Sequence, residues 1–166
     1  MRLKINITAA LILATTTLAS IGTAQSAGAA PERLDVTFVL DPSDPGVGTS
    51  ACAFPVAIHI TGKSKTIPLP GNRTVITAPG QQATITNVSH PSKQVTLNTT
   101  GVFTILNQPD GGFVGIGTGR NLVTDPTFGL TLVIGKFSFA VNGAGTLIQG
   151  LTLQGGTTTS VCGMID

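Results

Sequence analysis

Residues 83–119 read ATITNVSHPSKQVTLNTTGVFTILNQPDGGFVGIGTG, four short alternating runs cut by turn residues. Segments 83–89, 93–98, 102–107 and 113–118 are predicted strands, with turns at 89–92 (Ser-His-Pro-Ser) and 108–112 (Gln-Pro-Asp-Gly-Gly). In 93–98, Val95 and Leu97 alternate with Gln94, Thr96 and Asn98, the period-two signature of a half-buried strand. Pro-Asp-Gly-Gly suits a hairpin loop, because Pro presets its own φ and Gly tolerates positive φ. An antiparallel meander follows, and the flanking sequence extends it in both directions.

Upstream, residues 33–40 place Leu34, Val36, Phe38 and Leu40 on one face, and 41–50 (DPSDPGVGTS) form a loop. Asp41 and Asp44 lack the further acids and closing Glu of a calcium loop, so a solvated turn is the better reading. Residues 52–61 are an apolar strand containing Pro55, which belongs at an edge, a strand start or a bulge. Residues 63–70 are a basic, Pro-containing connection, and 73–78 a short strand before Pro79-Gly80. Downstream, strands are predicted at 121–124, 130–134, 137–141, 147–153 and 157–162, with Gly135 marking a bulge or bend and 142–145 a hairpin turn. About ten strands with turns every 8–12 residues define an all-β sandwich or barrel. No 3.6-period stripe signals a helix.

The N-terminus is of another kind. Arg2 and Lys4 precede a mostly apolar or small run, 5–20, and then Ala27-Gly28-Ala29. This is the pattern of a secretory signal peptide over 1–29, leaving a single β domain over 30–166. Asn6, Thr8 and Thr15–Thr17 dilute a run already too short for a membrane span. The expected compartment is extracellular. The full chain carries nine Lys/Arg and seven Asp/Glu. Removing Arg2 and Lys4 leaves 7 − 7 = 0 over 30–166. A sparsely charged, neutral surface gives no footprint for nucleic acid or anionic membrane.

Cys52 and Cys162 are the two cysteines of the chain. In an oxidising compartment they have one available pairing, and no CxxC spacing or His/Cys cluster favours a reactive or metal-binding pair. A bridge would bring the first strong strand beside the last. The simplest meander whose ends meet is a flattened barrel; a two-sheet β-sandwich with the staple between its sheets is the alternative.

Cys52-Ala53-Phe54-Pro55-Val56, Thr86-Asn87, Asp110-Gly111 and the Cys near the C-terminus carry a resemblance. The chain resembles small secreted, uncharacterised β-rich proteins of actinobacteria with a CxFPV start and Thr/Gly-rich strands. The resemblance implies export and a disulfide-stapled β domain, and it brings no catalytic or binding residue with it.

The chemistry-bearing residues are few. His59 lies in an alternating strand and His90 in a turn before Pro91. There is no GxSxG elbow, no set of three converging zinc ligands, and the acids fall almost wholly in turns or at the termini. Gly115-Ile116-Gly117-Thr118-Gly119 lacks the Lys-Ser/Thr ending and the helix of a phosphate loop, so its alternating glycines read as tight bends or close backbone packing. With no Trp or Tyr for sugar stacking, the seven Phe read as core. No cofactor or metal is implied. Three functions remain. The first is a non-enzymatic exported domain acting through contacts with an extracellular protein. The second is a barrel carrying a small hydrophobic ligand, and the third a barrel enzyme with His59 or Arg120 as its working groups. The most regular runs predict one contiguous core of Phe103, Ile105, Leu132, Ile134, Phe137 and Phe139.

Overall fold

The computed structural model describes residues 30–44 and 51–166. The expected signal segment and the second half of the 41–50 loop lie outside the described residues. Nine antiparallel strands appear in the order β1 (Glu32–Leu40), β2 (Val56–Leu69), β3 (Arg73–Thr77), β4 (Gln82–Asn87), β5 (Gln94–Asn98), β6 (Gly101–Asn107), β7 (Phe113–Asp125), β8 (Gly129–Val141) and β9 (Leu147–Ser160). A four-residue helix, α1 (Cys162–Ile165), follows. The strands form one sheet with the path β5-β4-β2-β3-β6-β7-β8-β9, and β1 adds to β2 off that path.

The sheet is largely a meander, as expected, but it is not closed into a barrel. Nor is it two separate sheets. β2 is the branch point: its first half lies between β1 and β4, and its second half pairs with β3. Residues 63–70, read from the sequence as a connection, are therefore mostly strand. Pro68 is tolerated because β1 has already ended at the Glu32–Ser64 pair, so that half of β2 needs only one ladder. Pro55 immediately precedes the start of β2. The twelve segments read as strands become nine because the glycines at 119, 135 and 155–156 bend strands without ending them.

Those bends set the architecture. Gly101, Gly119, Gly135 and Gly156 pair in a row across β6, β7, β8 and β9. Gly119 and Gly135 have φ of 85° and 129°, outside the range of an ordinary L residue. A Cβ at Gly135 would collide with Gly155 O and Gly156 Cα. How far the sheet turns there is fixed by one hydrogen bond. Leu151 lies opposite the 138–140 stretch of β8, whereas Asp125 pairs with Gly129. Ten residues of straight strand would separate those levels by roughly 30 Å. Leu151 N–H nevertheless donates to Asp125 Oδ2 at 3.2 Å. β7 and β8 therefore double back on themselves at the glycine row.

Doubling back creates two cores where the sequence predicted one. Inside the fold, Phe103, Phe137, Phe139, Ile76, Val123, Val133 and Val141 pack with Ile105, Phe113, Leu147 and Leu151. The phenyl rings interlock, with centroids of Phe103 and Phe139 at 5.9 Å and of Phe113 and Phe139 at 5.9 Å edge-on. On the other face of β8, Leu130 and Leu132, with Ile134 beside them, meet the apolar face of the β1-β2-β4-β5 region: Leu40, Val56, Ile58, Ile60, Ala83 and Ile85. Leu132 and Ile134 are even-numbered, and Phe137 and Phe139 odd-numbered, so they point to opposite faces. Four of the six predicted core residues are buried, while Ile105 and Ile134 are only partly so. Among the seven Phe, Phe128 departs from the core expectation and is exposed in the β7–β8 turn.

The glycines at 115 and 117 are close-packing positions, as their alternation suggests. A Cβ at Gly115 would lie 2.7 Å from the Phe103 ring and 2.8 Å from that of Phe139, and one at Gly117 would enter the Phe137 ring. Gly117→Ala should lower stability by about 1–3 kcal/mol through overpacking. Gly135→Ala should cost more, because backbone strain of about 1–3 kcal/mol adds to its collision. Gly163→Ala, with nothing within 4 Å of the new methyl, should be close to neutral. Urea denaturation of the three variants checks the ranking.

Candidate functional site

The outer face of the β1-β2-β4-β5 region gathers more of the chemistry-bearing side chains than any other described surface. Strand alternation turns its apolar residues inward, so the opposite residues line up across four strands. The ladders align Thr37, His59, Thr84 and Thr96 in one row, and Asp35, Thr61, Gln82 and Asn98 in the next. His59 Nε2 and Asp35 Oδ1 lie 2.8 Å apart on the diagonal between the rows. Thr84 Oγ1 and Thr96 Oγ1 lie 2.9 Å apart. The His59 side chain is 45% and that of Asp35 84% exposed, so water screens the pair and its contribution to stability is slight.

Chemically, this arrangement presents hydrogen-bond donors and acceptors on one face. A nucleophile bonded to the second His59 nitrogen and donors for an oxyanion are both needed for acyl transfer, and among the described residues no hydrogen bond joins His59 to a hydroxyl. Among the described residues no group of three or more His, Cys, Asp and Glu side chains could hold a metal ion. Arg120 is not brought to this face. It is exposed on β7, a strand unpaired with any of the four, and its N–H donates to Thr100 O. His90 is exposed in the β4–β5 turn, where its N–H donates to Asn87 O and its carbonyl accepts from Lys93.

The barrel carrier and the barrel enzyme both required an enclosed interior. The sheet does not close, and the space inside its fold is occupied by the rings of Phe103, Phe113, Phe137 and Phe139. Among the described residues, every buried side-chain nitrogen and oxygen has a hydrogen-bond partner. No polar group is held unpaired toward an apolar cavity.

Several polar residues to which the sequence reading gave no clamping role prove to be structural clamps. Asp125, 4% exposed, accepts Thr127 and Phe128 N–H at Oδ1 and Leu151 N–H at Oδ2. Its Asp-Pro-Thr context signalled a turn, but not the third bond, which comes from 26 residues away. Asn87, 2% exposed, accepts Ser89 and His90 N–H at Oδ1 and donates from Nδ2 to Ile165 O, fastening α1 to β4. Asp110 joins two hairpin loops: Oδ1 accepts Gly112 N–H at 3.0 Å and Oδ2 accepts Gly143 N–H at 3.3 Å. Those bonds, Gly112 first and Gly143 second, hold its carboxyl below the ordinary aspartate range. Asp41 is likewise lowered by the hydroxyl and then the N–H of Ser43, the local bonding of a solvated turn.

Cys52 and Cys162 are bonded, with Cα atoms 5.5 Å apart and a sequence separation of 110. Neither lies in a strand. Cys52 precedes β2 and Cys162 opens α1. Around them Leu130 N–H donates to Ala51 O and Val161 N–H donates to Leu130 O, so the bond closes one end of the core between β8 and the β1-β2-β4-β5 region. Comparison with protein families, curated proteins and solved structures gives no match.

Two outcomes follow. Replacing both cysteines by Ala should keep the β circular-dichroism signature while lowering the melting temperature. The chain-entropy ceiling for a loop of this length is about 4–5 kcal/mol. Asp110 gives a pH test. Its folded pKa is depressed, so its contribution is present above the ordinary value of about 3.9 and is lost as the pH falls through the folded value. In NMR titrations the Gly112 and Gly143 amides should move together with a midpoint below that ordinary value, and Asp110→Asn should abolish the step in both.

Proposed function

We propose that this chain is exported and works as a disulfide-stapled β domain through protein contacts at or outside the cell surface, and not as a catalyst. The observation that carries the compartment is the Cys52–Cys162 bond, since structural disulfides form and persist where the environment is oxidising. The Arg2/Lys4 start, the apolar run 5–20 and Ala27-Gly28-Ala29 supply the matching export signal. The resemblance to small secreted actinobacterial proteins points the same way.

The contact surface is the outer face described above. Hydroxyl and amide groups of Thr37, Thr61, Thr84, Thr96, Gln82 and Asn98 surround the His59–Asp35 pair on a four-strand face. Such groups give a partner directional hydrogen bonds, and wet, polar interfaces of this kind are common in recognition.

Export is tested by fractionating cells that produce the full chain. The protein should appear in the medium or at the surface, begin at or near Ala30, and contain no free thiol. Full-length protein retained inside with two thiols would overturn the reading. Contact is tested on intact cells with a photo-cross-linking residue at position 84. A discrete protein adduct is expected there and not from the same residue at position 163; equal, diffuse labelling from both would remove this face from the account.

A further inference from the structure

Among the described residues β9 is a free edge of the sheet, and its second half differs from the other edges in having no guard. β1 carries Glu32, Arg33 and Asp35. β5 has five residues, follows Lys93 and has α1 packed beside it. Charges, shortness and a covering element are the usual protections of an exposed edge. β9 runs for 14 residues, LIQGLTLQGGTTTS, without one Lys, Arg, Asp or Glu. Its first half protects itself by bulging, with register shifts against β8 between Gly135 and Val141. From Gly156 to Ser160 the ladder to β8 is regular.

Along that regular stretch the direction of each backbone group follows from one bond. Val161 N–H donates to Leu130 O on β8. In an antiparallel ladder the sense alternates, so Thr159 and Thr157 also face β8, while Ser160, Thr158 and Gly156 turn N–H and C=O away from the sheet. Gly156, Thr157 and Ser160 are exposed, and Thr158 and Thr159 half-buried.

We propose that this edge pairs with the same edge of a second copy of the chain, antiparallel and centred on Thr158. The register is self-complementary. Thr158 faces Thr158 of the copy on the two-fold axis, Gly156 faces Ser160, and Thr157 faces Thr159, giving about six main-chain hydrogen bonds. Cross-strand Thr–Thr pairs are favourable neighbours. The occupant is a second copy because nothing repels it: the strand is uncharged and residues 30–166 sum to 7 − 7 = 0, a balance that favours self-association. A partner strand with charged side chains would find no complementary charge on β9. The charge balance rests on the export reading, whereas the pairing itself does not rest on the outer face of the β1-β2-β4-β5 region.

A short strand pair makes a small interface, so dissociation constants of about 10 μM to 1 mM are expected. Sedimentation equilibrium of the disulfide-bonded protein should show a monomer–dimer equilibrium in that range. Thr158→Lys sets two ammonium groups opposite each other on the axis and should weaken the dimer by about tenfold or more. Thr158→Pro removes an outward N–H that bonds nothing among the described residues and should do the same without loss of fold. Wild-type amide exchange, which needs no variant, should show Thr158 and Ser160 protected at high concentration and fast on dilution. A monomer at 1 mM, a dimer indifferent to both substitutions, or exchange at these two amides independent of concentration would each overturn the proposal.

Discussion

Leu151 can reach Asp125 because β7, β8 and β9 all turn at the same level, and they can turn together because that level is a row of glycines. Backbone meets backbone there: a methyl at Gly156 would strike Ile134 O, and one at Gly119 would lie 3.1 Å from Gly101 Cα. A side chain anywhere in the row would hold two strands apart and flatten the sheet. A flat sheet would expose Phe103, Phe137 and Phe139 on one face and Leu130 and Leu132 on the other. Burying a large apolar side chain is worth about 1.5–3 kcal/mol, so the stability of both cores is conditional on that bend.

The first half of β8 consequently lies between two layers. Leu130, Thr131, Leu132 and Val133 are consecutive and all buried. Thr131 sustains this by donating its hydroxyl to Phe128 O at 2.9 Å, which meets the requirement that buried polar groups be bonded. At the end of this stretch no further strand among the described residues covers the core. The Cys52–Cys162 bond, Ile165 and the Asn87 amide close it instead. The disulfide thus does locally what another strand would have done, and also limits the unfolded chain globally.

The strands of 83–119 were legible because one face of each is buried and side chains alternate, which writes burial directly into period two. Gly135 reads as a bulge or bend and is one, but the runs on either side of it and of Gly119 were taken as separate strands because a glycine alone does not say whether a strand stops or bends. That depends on the glycines opposite it, and pairing is not visible along one chain. The switch from even-numbered Leu132 and Ile134 to odd-numbered Phe137 and Phe139 was present in the sequence and implied opposite faces. It was absorbed into a single core because a flat barrel has only one inside. The barrel itself came from supposing that bonded cysteines pair the strands beside them. Here the bond joins a loop to a helix, and β2 and β9 remain unpaired. His59 was placed correctly on an alternating strand, but its bond to Asp35 depended on a register that links residues 24 apart.

Threonine, 21 of the 137 residues from 30 onward, links the fold to what its surface can do. A β-branched side chain suits a pleated strand, and its hydroxyl lets the outer face meet water without charge. Over residues 30–166 a net charge of zero leaves little long-range attraction or repulsion, so encounters with that stretch would not be steered and would begin at the unassisted rate of about 10⁵–10⁶ M⁻¹s⁻¹. Selectivity on such a surface must therefore arise at contact, from hydrogen-bond geometry and from strand register. Both need rigid backbones. The doubled-back sheet and the staple at its end supply that rigidity, which is why the features that hold the two cores together also determine what the exposed hydroxyls can recognise.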